Sequence, residues 1–476
     1  MGHRSRWARW ELIAVAVSSA CLAACSQNLP TGAGAVTPAT VTAPAATTPA
    51  GSMTLGALAA RAVSADPAES APAIAALRAS GPAGLEALFA LGQEPGLTSG
   101  PELDRLRAAM ERVARQRDAY ASRLYWYTDL AQATREAKSR GKPILSLRLL
   151  GNLDDELSCA NSRFFRTALY PNAEVSRRLR QDFVLHWSSE RPAPKITIDF
   201  GDGRKIERTI TGNSIHYVLD AEGRPIDAIP GLYGPAAFLR ALDATIPLAI
   251  QSASLDPNAR REALRMYHAD RRLALQTDWT NLLVSVGAIP APLPDPRGST
   301  SATPTAAAAA PIAMTKAFVE VPMVQAIVGQ VTALPSPVNG PAWETLIARY
   351  VKEARLDASS RALMHRKIAS DFDPLGRVRI PLEEAIFERR VAAFERAIAE
   401  DTVHNEYTLH RTVHEWMAMT PAVESLKELN ERIYAQLFLT PRTDPWLGLL
   451  GVDAYSGIEN EGVKLAPKER SAAAPR

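Results

Sequence analysis

The sequence predicts an α/β domain in the middle of the chain, at residues 122–250, with all-α regions before and after it. Two short apolar runs, at 144–150 and 183–187, have the length of buried strands. Apolar residues recur every three or four positions in 56–121 and 313–455, as they do in amphipathic helices. The chain of 476 residues is long enough for two or three such units, at about 100–200 residues each.

The first 25 residues are typical of an export signal rather than of a structural helix. Three arginines fall within the first nine positions, an apolar stretch follows at 12–20, and the segment ends in Leu22-Ala23-Ala24-Cys25. This ending resembles the cleavage site of bacterial lipoproteins, which implies that Cys25 is acylated and becomes the first residue of the mature chain. Ser26 after it implies an anchor in the outer membrane, on the periplasmic face. An ordinary secretory signal is the alternative.

Two segments without charged side chains are predicted to have no fixed structure. Residues 26–55 consist mostly of Ala, Thr, Pro and Gly, and 299–312 has a similar composition. Such segments cannot bury enough apolar surface to offset their ordering entropy. The first is therefore predicted to be a tether between the anchor and the folded body. The second is predicted to be a linker after a helical extension at 251–298, and 456–476 a disordered tail.

The central domain is predicted to alternate strands and helices. An amphipathic helix at 129–142 closes on Gly141-Lys142-Pro143 and leads into the first strand. Gly201-Asp202-Gly203-Arg204 joins two alternating segments, a pattern typical of a β-hairpin. The predicted strands are 144–150, 183–187, 195–200, 205–210, 214–219 and 225–229, followed by a closing helix at 235–242.

A short motif between the first two strands carries a family resemblance. Cys159-Ala160-Asn161-Ser162 follows the first strand, a segment with Val175 comes next, and then the second strand. This order resembles the bacterial branch of the thioredoxin-like superfamily, in which a C-x-x-C motif begins a helix. Asp220 and Gly223 match the family pattern before the last strand. The resemblance implies a mixed sheet covered by helices on both faces.

The chain departs from this family at two positions that matter for its chemistry. Ser162 stands in place of the second cysteine, and Ser214 stands where the family has its cis-proline. A dithiol oxidoreductase needs one thiol to attack and a second to resolve the mixed disulfide. Cys21 lies in the signal and Cys25 would carry the lipid, so Cys159 is the one free thiol of the mature chain. Catalytic roles for Cys159, Ser162 and Ser214 therefore apply only if the domain is redox-active through a single thiol.

One group of potential metal ligands lies in the C-terminal helical region. Glu406, His410 and His414 are four residues apart and share one helix face. Two histidines at that spacing can hold zinc, but three groups over eight residues span about 12 Å and cannot all bind one ion. A further ligand, such as His404 or His365, would have to come from elsewhere. A polar face between helices is the plainer interpretation, and no metal or cofactor is predicted.

The charge balance and the single thiol leave two main hypotheses about function. With 54 basic and 51 acidic residues the net charge is +3, which gives no reason to expect a nucleic-acid partner. The favoured hypothesis is a cell-envelope lipoprotein, anchored through Cys25, whose thioredoxin-like domain is a binding or scaffold module for envelope proteins. The alternative is a monothiol disulfide oxidoreductase or redox-linked chaperone that uses Cys159. A metal-dependent enzyme in the C-terminal region is a third hypothesis, and the small-molecule substrate is unknown.

The exposure of Cys159 distinguishes the two main hypotheses. The oxidoreductase requires an exposed thiol of depressed pKa with a groove beside it. A buried thiol packed under Phe164 and Tyr170 would exclude the oxidoreductase and leave the binding module as the remaining main hypothesis.

Overall fold

The computed structural model describes most of the chain after the predicted tether. The described residues are 53–93, 99–289, 305–328, 340–368, 384–419, 425–450 and 457–464. Cys25, with the rest of the predicted signal, lies outside them. The described residues from Met53 onward belong to one compact unit, and none of their helices is long and apolar enough to cross a membrane.

A mixed four-stranded sheet lies at the centre of this unit. Together with a separate hairpin, the strands are β1 Ile144–Leu150, β2 Val184–Arg191, β3 Lys195–Asp199, β4 Lys205–Thr209, β5 Ile215–Leu219 and β6 Pro225–Pro230. The order across the large sheet is β2-β1-β5-β6. β1 runs parallel to β2 and antiparallel to β5, which is antiparallel to β6. The predicted fold class, an α/β chain with additional helical regions, is confirmed. β2 extends further than predicted, to Arg191.

β1 occupies the middle of the sheet because it is apolar on both faces. All of its residues except Arg148 are buried, and a strand covered on both faces has a nearly continuous apolar sequence. Ile144 pairs with Val184 on one side and with Leu219 on the other. The side chain of Arg148 reaches a carboxylate of β2, with its Nη1 3.6 Å from Glu190.

β3 and β4 form the predicted hairpin outside the large sheet. Ile198 of β3 pairs directly with Ile206 of β4. Gly201 and Gly203 in the turn have φ of 76° and 92°, values that favour glycine. The carboxylate of Asp202 accepts a hydrogen bond from the backbone N–H two residues further on, at 3.0 Å. The hairpin predicted from this turn is confirmed.

The N-terminal region consists of short helices. They are α1 Leu55–Ala62, α2 Pro67–Ala79, α3 Pro82–Leu91, α4 Pro101–Ala114 and α5 Ala119–Ser122. Thr54 and Asp66 begin the first two, because their side chains accept backbone N–H groups of the first turn. Within the helical region, the apolar spacing of 101–121 predicts one long helix, and the end point of this prediction is wrong. The helix stops at Ala114, because Arg115 adopts a left-handed conformation with φ of 55°.

The next helices pack against the sheet or follow it. They are α6 Leu130–Arg140, α7 Ala160–Phe164, α8 Ala173–Asp182, α9 Pro235–Gln251 and α10 Pro257–Ser285. Asp129 begins α6 by accepting the backbone N–H of Gln132 at 2.9 Å, and Gly141 ends it with φ of 62°. A π-helical turn, Phe165–Leu169, continues α7. α6 and α8 pack against β2, and α9 packs against β5 and β6.

The C-terminal region is helical, as predicted, and begins earlier than predicted. Its helices are α11 Ala306–Ala309, α12 Met314–Val328, α13 Gly340–Ala354, α14 Ala358–Ile368, α15 Glu384–His404, α16 Arg411–Met419 and α17 Leu426–Arg432. The described part of the predicted linker, residues 305–312, is helical instead. Its small side chains allow close packing, so Ala306 and Ala310 are buried against Val324 of α12. A π-helical turn, Asn405–His410, joins α15 to α16.

One apolar core runs through the described unit. It includes residues of the N-terminal helices, the sheet and the C-terminal helices, among them Leu77, Leu147, Tyr217, Leu346 and Phe438. All five are completely buried. The helical regions therefore share the core of the sheet, and separating them would expose apolar surface at a cost of about 25 cal/mol per Å².

Candidate functional site

Cys159 caps the N-terminus of α7, and its side chain is completely buried. Its Sγ lies 3.1 Å from the Oγ of Ser214, which directly precedes β5. The structure thus brings together the cysteine and the residue at the expected cis-proline position, although no peptide bond in the described residues is cis. Ser162 is held elsewhere, because its hydroxyl donates to the Oγ of Ser158 at 2.8 Å.

The loop before β5 lies directly against the thiol. Gly212 in this loop has φ of 106°. A Cβ at this position would lie 3.1 Å from the Cβ of Cys159 and 2.9 Å from the Cδ1 of Leu150. Glycine suits both the backbone conformation and the close approach. The loop therefore leaves no gap for a substrate backbone beside the sulfur.

Two C-terminal elements hold this loop in place over the sulfur. The Nζ of Lys316, in α12, donates to the carbonyl of Gly212 and to the Oδ1 of Asn213, both at 3.0 Å. The hydroxyl of Tyr434 donates to the carbonyl of Asn213 at 2.9 Å. Lys316 is fully buried, as is Glu320, whose Oε2 lies 3.7 Å from the ammonium nitrogen. Burial raises the pKa of Glu320, with the charge of Lys316 acting in the opposite direction.

Arg163 lies near Cys159 and connects the end of β4 to the start of α7. Its Nη1 donates to the Oγ1 of Thr209 at 2.8 Å, and that hydroxyl donates to the carbonyl of Ser158 at 3.0 Å. Burial lowers the pKa of Arg163, while the nearby Cys159 and Glu320 act to raise it. The end of β4 is thereby fixed to the start of α7, next to the cysteine.

A second polar cluster is buried between β6, α10 and α16. Asp227, His268 and His414 each offer one ligand atom, and these atoms all lie within 4.8 Å of one another. The Nδ1 atoms of His268 and His414 are 2.8 Å apart, and the Nδ1 of His414 is 3.9 Å from the Oδ1 of Asp227. All three side chains are completely buried. Imidazole and carboxylate groups are ligands that zinc accepts, so this cluster could hold a metal ion.

Neighbouring side chains hold the carboxylate of Asp227 in this cluster. Its Oδ1 accepts a hydrogen bond from the Nε2 of His410 at 3.0 Å, and its Oδ2 accepts one from the hydroxyl of Tyr267 at 2.8 Å. Burial raises the pKa of Asp227, but its electrostatic interactions with His410 and His414 and its hydrogen bond with His410 outweigh burial and hold this pKa well below its ordinary value. Burial lowers the pKa of His268 to about 4 and that of His414 well below its ordinary value.

The predicted ligand candidates separate in the structure. His414 belongs to the cluster and His410 donates a hydrogen bond to its carboxylate, whereas the carboxylate of Glu406 lies 3.8 Å from Arg240. The length of helix between the two residues accounts for this separation, because eight residues place Glu406 about 12 Å from His414 along the helix axis. Burial raises the pKa of Glu406.

The histidines considered as further ligands, His404 and His365, are not members of the cluster. Two members of the cluster, Asp227 and His268, are not predicted from the sequence patterns. Two signals could have found them. Asp227 is the one charged residue in the apolar run 225–230, and His268 follows Leu264 by one turn in the buried stripe of α10. Polar groups at such positions are seldom buried without a partner.

The hairpin of β3 and β4 exposes an apolar face. Ile198, Phe200 and Ile206 are 40%, 52% and 38% exposed. Ile198 and Ile206 are directly opposite each other and so lie on the same face, as does Phe200 two residues after Ile198. The opposite face carries polar side chains, including Thr197 and Glu207. Clusters of exposed large apolar residues frequently mark interaction surfaces.

Comparisons with known proteins do not assign a role to either cluster. No protein-family model matches the chain, and neither a curated protein nor a solved structure is found to match it. What the chain does must therefore be inferred from its own residues.

Proposed function

We propose that this chain is a lipid-anchored protein of the bacterial cell envelope, whose thioredoxin-like domain is a binding scaffold without dithiol redox activity. The lipoprotein-like ending Leu22-Ala23-Ala24-Cys25 supports the anchor. The strand order supports the thioredoxin-like assignment, because parallel β1 and β2 with an intervening helix are followed by antiparallel β5 and β6. Cys159 begins the helix after β1, and Ser214 lies beside it, as the resemblance implies.

The observation that carries this proposal is the complete burial of Cys159. Thiol–disulfide exchange requires a thiolate that a substrate sulfur can reach in line. Here the sulfur is covered by Ser214 and by the Gly212 loop, which Lys316 of α12 holds in place. The domain has no second thiol at the resolving position, since Ser162 occupies it. A domain with this arrangement is suited to holding a shape rather than to exchanging disulfides.

The hairpin of β3 and β4 gives such a scaffold a surface for a partner. Its apolar face is exposed, whereas the strands of the large sheet are mostly buried. An isolated two-stranded hairpin is only marginally stable in water, so covering one face would stabilise it. An envelope protein with a complementary apolar patch is the partner that this surface fits.

Cys159 is expected to react with iodoacetamide at least about 1000-fold more slowly in the native protein than in the urea-unfolded chain. The reaction must wait for an opening whose equilibrium constant is unfavourable by at least about that factor. Labelling is followed by mass spectrometry, with Cys159→Ser as the control. If Cys25 carries a thioether-linked lipid, the unfolded mature chain takes up one label, and a second label would contradict the anchor.

The second candidate function is monothiol exchange through Cys159. It is favoured by the polar surroundings of the sulfur, which lies 3.1 Å from the Ser214 hydroxyl and near the charge of Arg163. Fast native labelling that rises with pH well below the usual thiol pKa of about 8.5 would support this function. Mixed disulfides trapped on Cys159 in cells would establish it and would exclude the scaffold proposal.

The apolar face of the hairpin is expected to contact a protein partner in the envelope. A photoreactive amino acid at Ile206 should form a discrete crosslinked complex in intact cells, whereas the same group at Glu207, on the opposite face, should not. Ile198→Ser with Phe200→Ser should abolish the Ile206 crosslink. Because these side chains are exposed, the double variant should change the free energy of unfolding by less than about 1 kcal/mol. Equal crosslinking from both faces, or from neither, would exclude this surface.

A further inference from the structure

We propose that Asp227, His268 and His414 bind one zinc ion that joins the sheet to the helices packed on it. The three residues belong to β6, α10 and α16, which are far apart in the chain. Their ligand atoms converge within 4.8 Å in a region that solvent does not reach. An ion at this point would crosslink three separate elements of the fold.

A hydrogen bond from the Nε2 of His268 leaves its Nδ1 as the nitrogen that can bind a metal ion. Its Nε2 lies 3.0 Å from the backbone carbonyl of Ile226. A carbonyl only accepts, so the Nε2 carries the proton, and a neutral imidazole then has a lone pair on Nδ1. This lone pair is directed at His414. Metal-binding histidines usually donate their other N–H to a backbone carbonyl or carboxylate in this way.

The approach of the two imidazoles requires a positive group between them. The Nδ1 atoms of His268 and His414 are 2.8 Å apart, a distance at which two lone pairs repel. Either a proton on the Nδ1 of His414 or a metal cation must lie there. The proton would leave the Nε2 of His414 as a bare acceptor, and the cation would leave it as an N–H donor; in both cases this atom is buried without a hydrogen-bond partner. The cation would instead use both Nδ1 atoms and be neutralised in part by Asp227.

The ligand types and distances suit zinc. Ligands at about 2.0–2.1 Å from a tetrahedral zinc ion are roughly 3.3 Å apart. The observed separations of 2.8 Å between the histidines and 3.9 Å between His414 and Asp227 lie on either side of this value. The ligand atoms of His268 and Asp227 lie within 4.8 Å of each other, so both the rings and the carboxylate would rotate to create the site. Two nitrogens and one oxygen favour zinc over magnesium or calcium, which prefer oxygen ligands.

Full burial makes the role of the ion structural. Catalytic zinc keeps a coordination position that substrate can reach, and no substrate reaches a fully buried site. His410 and Tyr267 are positioning residues here, because each donates a hydrogen bond to one oxygen of Asp227. The charge of Arg271 also reaches Tyr267 and His414.

The test is zinc binding by the purified full-length protein after treatment with a chelator. The wild type is expected to bind one zinc ion per chain in a titration against a chromophoric chelator, and zinc should raise its Tm. His268→Gln and His414→Gln should each weaken binding by more than about 100-fold, and His410→Asn by about 10–100-fold as for an outer-shell partner. His216→Gln, a buried histidine of β5, and Cys159→Ser should leave zinc affinity unchanged.

X-ray absorption of the zinc-loaded wild type tests the site even if the variants do not fold. The expected spectrum has nitrogen and oxygen neighbours at about 2.0–2.1 Å, scattering from two imidazole rings, and no sulfur. Sulfur in the coordination sphere, or fewer than two imidazoles, would overturn the proposal. Wild-type protein that binds no zinc and has the same Tm with and without it would also overturn the proposal. The Nδ1 atoms of His268 and His414 would then share an ordinary hydrogen bond.

Discussion

Replacing Lys316 with methionine is expected to lower the free energy of unfolding by about 3–5 kcal/mol, because it leaves a buried carboxyl group without its cation. The ammonium group of Lys316 is completely buried and lies 3.7 Å from Glu320. It also donates hydrogen bonds to Gly212 and Asn213, in the loop that covers Cys159. The substitution therefore removes one charge and two hydrogen bonds in a region that water does not reach.

A double variant separates the effect of the lost charge from that of the lost hydrogen bonds. Lys316→Met combined with Glu320→Leu replaces the buried pair by apolar side chains of similar volume, an exchange that is often neutral or stabilising. The double variant is expected to recover most of the stability that the single variant loses. Urea titrations followed by tryptophan fluorescence provide the measurement. If both variants are equally destabilised, the hydrogen bonds to the loop account for the loss and the ion pair does not.

The parts of the fold that the sequence predicts are those with local causes. β1 follows from a mostly apolar run, and the hairpin of β3 and β4 follows from glycines that occupy positive φ. The first turn of α6 follows from Asp129, which caps the backbone N–H of Gln132. Each of these signals lies within about ten residues of the element that it specifies. No knowledge of the rest of the chain is needed to interpret them.

The elements that the sequence misplaces depend on distant partners or on single backbone angles. α4 ends at Ala114 because Arg115 adopts a left-handed conformation, and the composition of 101–121 gives no indication of this. The alanines of α11 are buried because α12 lies against them. α12 itself contains Pro322, which interrupts the hydrogen-bonding pattern of a helix and makes it hard to recognise from sequence.

The candidate sites divide in the same way. Cys159 and Ser214 can be placed together from the sequence because a resemblance gives the relation between two segments 55 residues apart. No comparable relation connects Asp227, His268 and His414, which meet only when β6, α10 and α16 pack. The spacing of His410 and His414 is visible on one helix. It does not show which other elements will supply the carboxylate and the third imidazole.

Acid is expected to unfold the protein partly through two buried histidines of the sheet. Burial lowers the pKa of His186 to about 3, with the charge of Arg148 adding to the effect, and burial lowers that of His216 to about 3. In the unfolded chain each takes up a proton near pH 6.5. Between about pH 6.5 and 3 the unfolded state therefore binds more protons than the folded state. The stability is complete above this window and falls within it by up to about 1.4 kcal/mol per pH unit for each histidine.

Substitutions that keep the hydrogen bonds but do not titrate isolate this effect. His186 uses its Nδ1, 2.8 Å from the Oγ of Ser146, and His216 uses its Nε2, 2.7 Å from the hydroxyl of Tyr170. Asparagine can replace the first nitrogen and glutamine the second. The variant His186→Asn/His216→Gln should therefore lose up to about 2.7 kcal/mol per pH unit of the slope between pH 6 and 4. His365→Asn, at a half-buried position outside the sheet, is the control and should parallel the wild type. Parallel curves for the double variant would mean that other groups, and not these two histidines, cause the acid sensitivity.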